Sequence, residues 1–342
     1  MATKAHDPLP PPFHACRHQP LGVVLVIRRV LIGTALLLSA LWLNNTSAFI
    51  DISDFETRII AHRGIHQIYA GTDRTAETCT ANPIHPPSHS YIANTLPSIK
   101  AALAAGADVV EIDVHLTTDD VFAVFHDWTV DCQTNGTGVT HEHSFKELQT
   151  LDLGYGYTAD GTTFPLRGTG IGAMPKLETL LAEGLGPKLL INFKSNRAKE
   201  GRRLATRHPD LAKRIFGVYG GRAPTQSAIA MAPGTRGFDK PQLKACLIRY
   251  ILLGWSGHVP APCRNTFVAV PMDYAPYLWG WPHRLTTRLE ASGSSLILWG
   301  PYDASGFSSG IDSPETLARV PPQLDAYLWT NRIERIGPLL HP

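Results

Sequence analysis

Charged and polar side chains concentrate at the ends of four short apolar segments of this sequence. They are His62, Arg63, Glu111, Asp113, His126, Asp127, Asn192 and Lys194. Glu111 and Asp113 are two residues apart, so in an extended strand both side chains project from the same face. Two adjacent carboxylates repel each other, and a hard divalent cation with oxygen ligands removes that cost. The pattern therefore indicates a site for Mg²⁺ or Ca²⁺.

The two histidines, His62 and His126, add groups that exchange protons near neutral pH. A single histidine at a strand end is more often structural than catalytic, and a sequence with 15 histidines offers many chance placements. The joint occurrence carries more weight, because a folded core rarely holds so many charges in one place. We therefore expect one catalytic site rather than separate structural residues.

Elements that could position these residues follow an alternating pattern of strands and helices. Eight short apolar segments are predicted as strands: 58–62, 108–114, 121–126, 188–194, 215–219, 267–272, 294–299 and 326–329. Helix-like segments separate many of them, at 95–105, 144–151, 176–183 and 314–318. Repeated strand-helix-strand units imply a parallel sheet, and eight of them predict an α/β fold, a TIM (β/α)8 barrel in a single domain. A doubly wound open sheet is the alternative, weakened because no glycine-rich dinucleotide fingerprint follows the first strand.

Two long connections, residues 65–91 and 127–175, are rich in Gly, Thr, Pro and His. They exceed the usual length of a loop between a strand and a helix. In a barrel both lie over the carboxyl-terminal face, where active sites are built. We expect them to form substrate walls or lids.

The first 48 residues differ from the rest and predict a leader, with the barrel over residues 49–342. Leu21 to Leu43 is apolar apart from Arg28 and Arg29, while acidic residues follow at 51, 54 and 56. This charge order favours export of the remainder. The apolar stretch is either a signal peptide cleaved near Thr46-Ser47-Ala48 or a membrane anchor. The barrel is thus expected to be periplasmic or extracytoplasmic, secreted or anchored.

Four cysteines remain outside the leader, which holds Cys16. An even number in an exported protein favours disulfides, and four cysteines allow three pairings. We expect Cys79 to pair with Cys132 and Cys246 with Cys263, because each pair falls in loop-like sequence on neighbouring connections of the barrel. The formal net charge of +2 gives no support for nucleic-acid binding, and the oligomeric state is not indicated.

Ordered motifs across residues 58–340 resemble the glycerophosphodiester phosphodiesterase family. The most specific are Ala61-His62-Arg63-Gly64, Asn94-Thr95-Leu96-Pro97-Ser98, the segment from Gly106 to Val114, and Thr117 to His126-Asp127. Looser matches follow at Met174 to Leu177, Leu190 to Lys194, Trp299 and Leu328 to Asn331.

The resemblance implies a TIM barrel that hydrolyses a glycerophosphodiester to sn-glycerol 3-phosphate and an alcohol with one divalent metal ion, Ca²⁺ or Mg²⁺. It implies that His62 and His126 form the acid/base pair and that Arg63 and Lys194 contact the phosphate. Glu111, Asp113 and Asn192 stand where the family has metal ligands.

Three positions depart from the family pattern. Ala93 and Asn192 replace glutamates, and Asp120 replaces a glycine. Asn192 matters most, because an amide oxygen coordinates a hard cation without contributing charge. One alternative is therefore a catalytically weakened barrel that only binds phosphodiesters. Another is a lysophospholipase D or toxin-like phospholipase D that acts on lipid, because the chain could be tethered near the membrane and four aromatic residues cluster in one loop, Tyr274, Tyr277, Trp279 and Trp281. The substrate is in each case a small molecule or a lysophospholipid, and membrane association would come through the N-terminal segment.

Overall fold

The computed structural model describes residues 21–72, 78–303 and 309–341, with only the backbone of residues 21–23. The chain divides into two compact units, Met1–Asn44 and Asn45–Pro342. Helix α1 (Leu21–Asn45), which lies in the first unit except for its last residue, contains the apolar stretch Val24–Asn45, within which an 18-residue window has a mean hydropathy of 2.1. This helix is long and apolar enough to cross a membrane. The expectations for residues 1–20, including Cys16, lie outside the described residues.

The second unit is a nearly closed barrel of eight parallel strands, which confirms the predicted TIM barrel. In the order β6-β5-β4-β2-β1-β9-β8-β7, neighbouring strands are hydrogen-bonded. The strands are β1 (Thr57–His62), β2 (Val109–Leu116), β4 (Leu189–Phe193), β5 (Gly217–Gly220), β6 (Gly237–Asp239), β7 (Phe267–Pro271), β8 (Ser295–Trp299) and β9 (Ala326–Thr330). Between β6 and β7, the Thr266 hydroxyl donates to the Gly237 carbonyl at 2.6 Å and so ties the two ends of the sheet together.

One of the eight predicted barrel strands does not belong to the barrel, so this part of the prediction was wrong. Residues 121–126 contribute β3 (Phe122–Val124), which pairs antiparallel with the far end of β2 and lies outside the barrel. The eighth barrel strand is β6 instead, which the sequence did not reveal because three residues show no periodicity. Asp120, in the turn before β3, has a φ of 63°. This left-handed backbone explains why a glycine suits the position.

The four predicted helical segments all contain helices, and further helices follow the other strands. In chain order they are α2 (Leu96–Ala104), α3 (Phe145–Leu148), α4 (Leu177–Ala182), α5 (Ala198–Arg207), α6 (Leu211–Arg214), α7 (Arg222–Met231), α8 (Lys240–Leu253), α9 (His283–Glu290), α10 (Pro314–Leu317) and α11 (Ile333–Leu340). Apolar side chains fill two layers, one inside the barrel around Phe238, Phe267 and Trp329, and one between strands and helices. A parallel sheet covered on both faces needs both layers.

The two long connections share a small core of their own, which includes Ile84, Phe125 and Leu148. A disulfide between Cys79 and Cys132 joins them, with Cα atoms 5.5 Å apart. The second disulfide joins Cys246 to Cys263, with Cα atoms 4.9 Å apart. Both predicted pairings are confirmed, although Cys246 lies inside α8 rather than in a loop.

Candidate active site

The first strand delivers His62 and Arg63 to the site through a tight left-handed turn. Arg63 has a φ of 58° and Gly64 a φ of 77°, and a Cβ on Gly64 would lie 2.3 Å from the Ser98 hydroxyl oxygen. Only glycine therefore fits at position 64 without displacing its neighbour. The turn directs the Arg63 guanidinium towards Asp113, with Nε 3.3 Å from Oδ2. A non-glycine residue held at positive φ is strained, and such strain concentrates at functional sites.

Glu111 and Asp113 lie completely buried on β2, next to one another on the same face. The Tyr219 hydroxyl donates to Glu111 Oε1 at 2.7 Å. The amides of Asn94 and Asn192 donate to the two oxygens of Asp113 at 3.0 and 2.9 Å. One carboxylate is thus held by a phenol and the other by two amides.

Electrostatics divides this carboxylate pair. Burial, and then the neighbouring charge of Asp113, raise the pKa of Glu111 to about 8. Burial would also raise the pKa of Asp113, but Lys194, His126 and Arg63 lower it below its ordinary value. Asp113 is consequently the carboxylate that stays charged, whereas at Glu111 burial and the charge of Asp113 outweigh the positive charges of Arg63 and Lys194.

One observation indicates that the side-chain oxygens of this site could bind a divalent metal. Glu111 Oε2 is buried and has no hydrogen-bond partner among the described atoms. A buried polar atom without a partner is costly, and a hard cation is a partner that a carboxylate oxygen accepts. Among the residues that the structure describes, no three His, Cys, Asp or Glu side chains form a metal-binding group. A third protein ligand here would have to be an amide, as Asn192 is.

The antiparallel strand β3 explains how His126 reaches the site. Because β2 continues past the barrel and β3 runs back along it, Phe125 donates its N–H to the Asp113 carbonyl at 3.0 Å. His126 follows at once and so returns to the level of the carboxylates. Its Nδ1 lies 2.7 Å from Asp127 Oδ1. Burial raises the pKa of Asp127 to about 6 and lowers the pKa of His126 well below its ordinary value.

His62 has a different partner. Its Nδ1 lies 2.6 Å from Asn331 Oδ1, and the Asn331 amide nitrogen donates to Asp312 Oδ2 at 2.8 Å. Because Asp312 fixes the direction of the amide, Asn331 presents its oxygen, and His62 must donate from Nδ1. The other ring nitrogen, Nε2, lies 3.7 Å from Glu111 Oε2 and is free to accept a proton.

All seven predicted site residues come together in the structure. Lys194 completes the set, with Nζ 3.5 Å from Asp113 Oδ1. Sequence reasoning gave no role to four residues that position the others: Asn94, Tyr219, Asn331 and Asp312. Two of them, Asn94 and Asn331, lie in segments that carried the family resemblance, whereas nothing in the sequence near Asp312 marks it.

The site opens into a cavity of about 180 Å³ lined by His62, Arg63, Ala93 and Asn331. Gln133 and Tyr157, from one of the two long connections, line it as well. These connections therefore supply walls of the cavity, as the sequence predicts. Ala93, where the family pattern has a glutamate, brings no charge to the cavity.

Comparison with known proteins points to one family. Residues 86–224 match the model of the glycerophosphoryl diester phosphodiesterase family. A glycerophosphodiester phosphodiesterase of Caldanaerobacter subterraneus is 44% identical over 61 residues, 18% of this chain and 25% of the relative. The human glycerophosphodiester phosphodiesterase 1 is 38% identical over 65 residues, 19% of this chain and 20% of the relative. The matched segments thus span a quarter or less of these relatives.

Solved structures support the fold over a longer stretch. The glycerophosphoryl diester phosphodiesterase domain of a Mycobacterium tuberculosis protein has a TM-score of 0.56 at 18% identity, covering 84% of this chain and 100% of that domain. A glycerophosphodiester phosphodiesterase from Agrobacterium tumefaciens has a TM-score of 0.50 at 21% identity, covering 83% and 100%. At this level of identity the similarity shows a shared barrel.

Proposed function

The comparisons indicate the glycerophosphodiester phosphodiesterase family for this chain, and on that premise we propose that it hydrolyses a glycerophosphodiester to sn-glycerol 3-phosphate and an alcohol. The observation that carries the proposal is the arrangement of two buried histidines with different partners around one buried carboxylate pair. A phosphodiester has a poor alkoxide leaving group, so hydrolysis needs one group to remove a proton and another to supply one.

The hydrogen bonds at Nδ1 support one assignment of these two roles. His126 Nδ1 faces the Asp127 carboxylate, whose negative charge favours a protonated ring and so opposes the effect of burial; on this geometry His126 is the acid that protonates the leaving oxygen. His62 faces the neutral amide oxygen of Asn331, which fixes its tautomer and leaves Nε2 as the base. Arg63 and Lys194 contact the phosphate and offset its charge.

The family generally uses a divalent metal, and in this chain Glu111, Asp113 and Asn192 would hold it. Bound there, Mg²⁺ or Ca²⁺ would stabilise negative charge on the phosphoryl oxygens. The two carboxylates and the amide also determine how tightly a cation is held. With Asn192 in place of a glutamate, one negative charge fewer reaches the metal than in the family pattern.

We place this activity outside the cytoplasm. Two disulfides are compatible with an oxidising compartment, and the apolar helix α1 serves either as a signal peptide or as an anchor. The leader and the barrel are thus proposed to be separate parts of the chain, over residues 1–48 and 49–342.

A substrate panel tests the proposal. The full chain is assayed with glycerophosphocholine, glycerophosphoethanolamine, glycerophosphoglycerol and a lysophospholipid, each with Mg²⁺ or Ca²⁺ and with chelator. We expect release of glycerol 3-phosphate from at least one diester, abolished by chelator. Hydrolysis of the lysophospholipid alone would favour a lipid-directed phospholipase D. Binding of the diesters without turnover would indicate a barrel that has lost catalysis.

A further inference from the structure

Helix α8 is apolar on two opposite faces. Its inner face packs Cys246 and Tyr250 into the barrel, together with the partly buried Leu243 and Leu247. Five large apolar residues are exposed on this helix and in the 3₁₀ turn that follows. Four of them share the outer face, and we call these the α8 stripe: Ile248 (48%), Ile251 (49%), Leu252 (65%) and Trp255 (49%). The fifth, Leu253 (45%), does not share their helical spacing.

The spacing of the α8 stripe is helical, at i, i+3, i+4 and i+7. A surface helix of a soluble domain normally carries polar residues on the face opposite the core, whereas a helix that is apolar all round is buried or meets lipid. An exposed apolar patch of this kind indicates an interaction surface.

Charge identifies the partner. Between residues 240 and 272 the sequence has four basic residues and no acidic one. The four are Lys240, Lys244, Arg249 and Arg264, and all are exposed. Apolar residues next to exposed cations are typical of helices that lie on an anionic lipid surface. Trp255 fits such a surface, since tryptophan favours the boundary between lipid and water.

The α8 stripe is held outward by its surroundings. The Tyr250 hydroxyl donates to the Trp279 carbonyl at 2.9 Å, and Trp279 Nε1 donates to the Ile251 carbonyl at 2.8 Å. The disulfide between Cys246 and Cys263 fixes the same helix to the next segment. Because α8 is tied on its inner side, its apolar outer face cannot turn into the core.

The chain enters the second unit beside the α8 stripe. The Asn45 amide donates to the Trp255 carbonyl at 2.9 Å, and Arg288 donates to both Asn45 Oδ1 and the Gly254 carbonyl at 3.1 Å. Asn45 is also the last residue of the apolar stretch Val24–Asn45. A helix of this length and composition has lipid as its natural surroundings, and the chain continues from it directly into the second unit at Asn45.

We infer that the α8 stripe lies on a bilayer that contains anionic lipid, so that the barrel itself contacts the membrane surface. This contact does not depend on the proposed catalysis.

Site-directed spin labelling of the full chain tests this inference. Cys16→Ser removes the thiol outside the two disulfides, and a label is attached through Leu252→Cys, or through Ile248→Cys should the first variant not fold. Lys213→Cys, on an exposed polar helix, is the matched control. Each protein is reconstituted in vesicles with 30% anionic lipid and, separately, solubilised in a non-ionic detergent. Collisions with oxygen and with a water-soluble nickel complex are then measured.

We expect nickel collisions at position 252 to fall by about fivefold in vesicles relative to position 213, while oxygen collisions rise, as for a side chain in the headgroup boundary. Equal nickel access at both positions would overturn the inference. Protection at 252 that grows with protein concentration in detergent would show instead that a second copy covers the stripe. A loss of both oxygen and nickel collisions in detergent at every protein concentration would show that the chain covers the stripe itself, since a detergent micelle admits oxygen. Glycerol 3-phosphate release from a soluble diester, measured on the same samples, reports the proposed function separately.

Discussion

Glu111 and Asp113 lie fully buried on β2, whereas Ile251 and Leu252 lie half exposed or more on the outer face of α8. Each pair is costly where it stands, the first because charge is removed from water and the second because apolar surface is left in it. The two pairs differ in how far neighbouring residues compensate this cost. Asp113 has two amides and two cations around it, whereas the apolar residues of the α8 stripe are each about half exposed or more. Asp113 is therefore compensated within the chain, whereas Glu111 Oε2 still calls for a cation and the exposed α8 residues call for an apolar surface.

The largest effect is expected from Glu111→Gln, which keeps an oxygen for the Tyr219 hydroxyl but removes the charge. Activity should fall to background, because the metal loses a carboxylate. Stability should change in the opposite direction. The pKa of Glu111 is raised to about 8, so in chelator the folded wild type loses stability as pH rises from about 4.5 to about 8. The variant should escape this loss and exceed the wild type on the order of 2 kcal/mol at pH 8.

Thermal melts across pH, first with chelator and then with Mg²⁺ or Ca²⁺, compare the stability of the variant and of the wild type without and with the metal. The cation should stabilise the wild type and leave Glu111→Gln unchanged. Asn192→Glu is the matched control, since it adds a carboxylate at the same place and should increase the stabilisation by metal. If the cation stabilises Glu111→Gln as much as the wild type, the metal is held elsewhere.

Removal of either histidine is expected to cost nearly as much activity. Proton transfer by one positioned side chain is worth about 10²–10⁴-fold, so His62→Ala and His126→Ala should each lower kcat at least about a hundredfold. Steady-state kinetics on the best diester, with circular dichroism to verify the fold, decides this. His258→Ala, an exposed histidine, should keep the wild-type rate. A near-normal kcat in either catalytic variant would refute the two-histidine mechanism.

A smaller effect is expected at Asn331, which positions His62 rather than touching the reacting atoms. Loss of one hydrogen bond in Asn331→Ala should lower kcat about tenfold. The pH profile distinguishes positioning from general damage. The Asn331 oxygen favours protonated His62, so without it the pKa of His62 falls and the acid limb of the kcat profile moves to lower pH. Asp312→Asn should shift the limb in the same direction by less. An unmoved limb would leave Asn331 a purely structural role.

The sequence predicts the charged region better than the exposed one. Glu111 and Asp113 can be recognised in the sequence because they lie two residues apart within an apolar segment. The barrel can be predicted because most of its strands have an ordinary length. The position of His126 was predicted for a wrong reason, since an antiparallel return, not a barrel strand, carries it to the site. Asp312 could not be found, because its contact with Asn331 joins loops through the tertiary fold. The α8 stripe could not be predicted, because the sequence of a helix with two apolar faces does not show which face is buried.

The smallest effect is expected on the exposed side of the comparison. Leu252 is 65% exposed and Leu289, on α9, is 1% exposed, so one substitution can be made in both surroundings. Leu289→Ala leaves a cavity and should cost about 2–5 kcal/mol of unfolding free energy. Leu252→Ala removes little packing and should change stability by less than about 0.5 kcal/mol in a non-ionic detergent. Denaturant titration of the full chain compares the two variants. A cost at Leu252 close to that at Leu289 would mean that the stripe is already packed within the protein. The contrast between the compensated Asp113 and the exposed α8 stripe would then fail. A near-zero cost would leave the outer face of α8 without a structural reason for its apolar residues, which is the condition that a membrane contact requires.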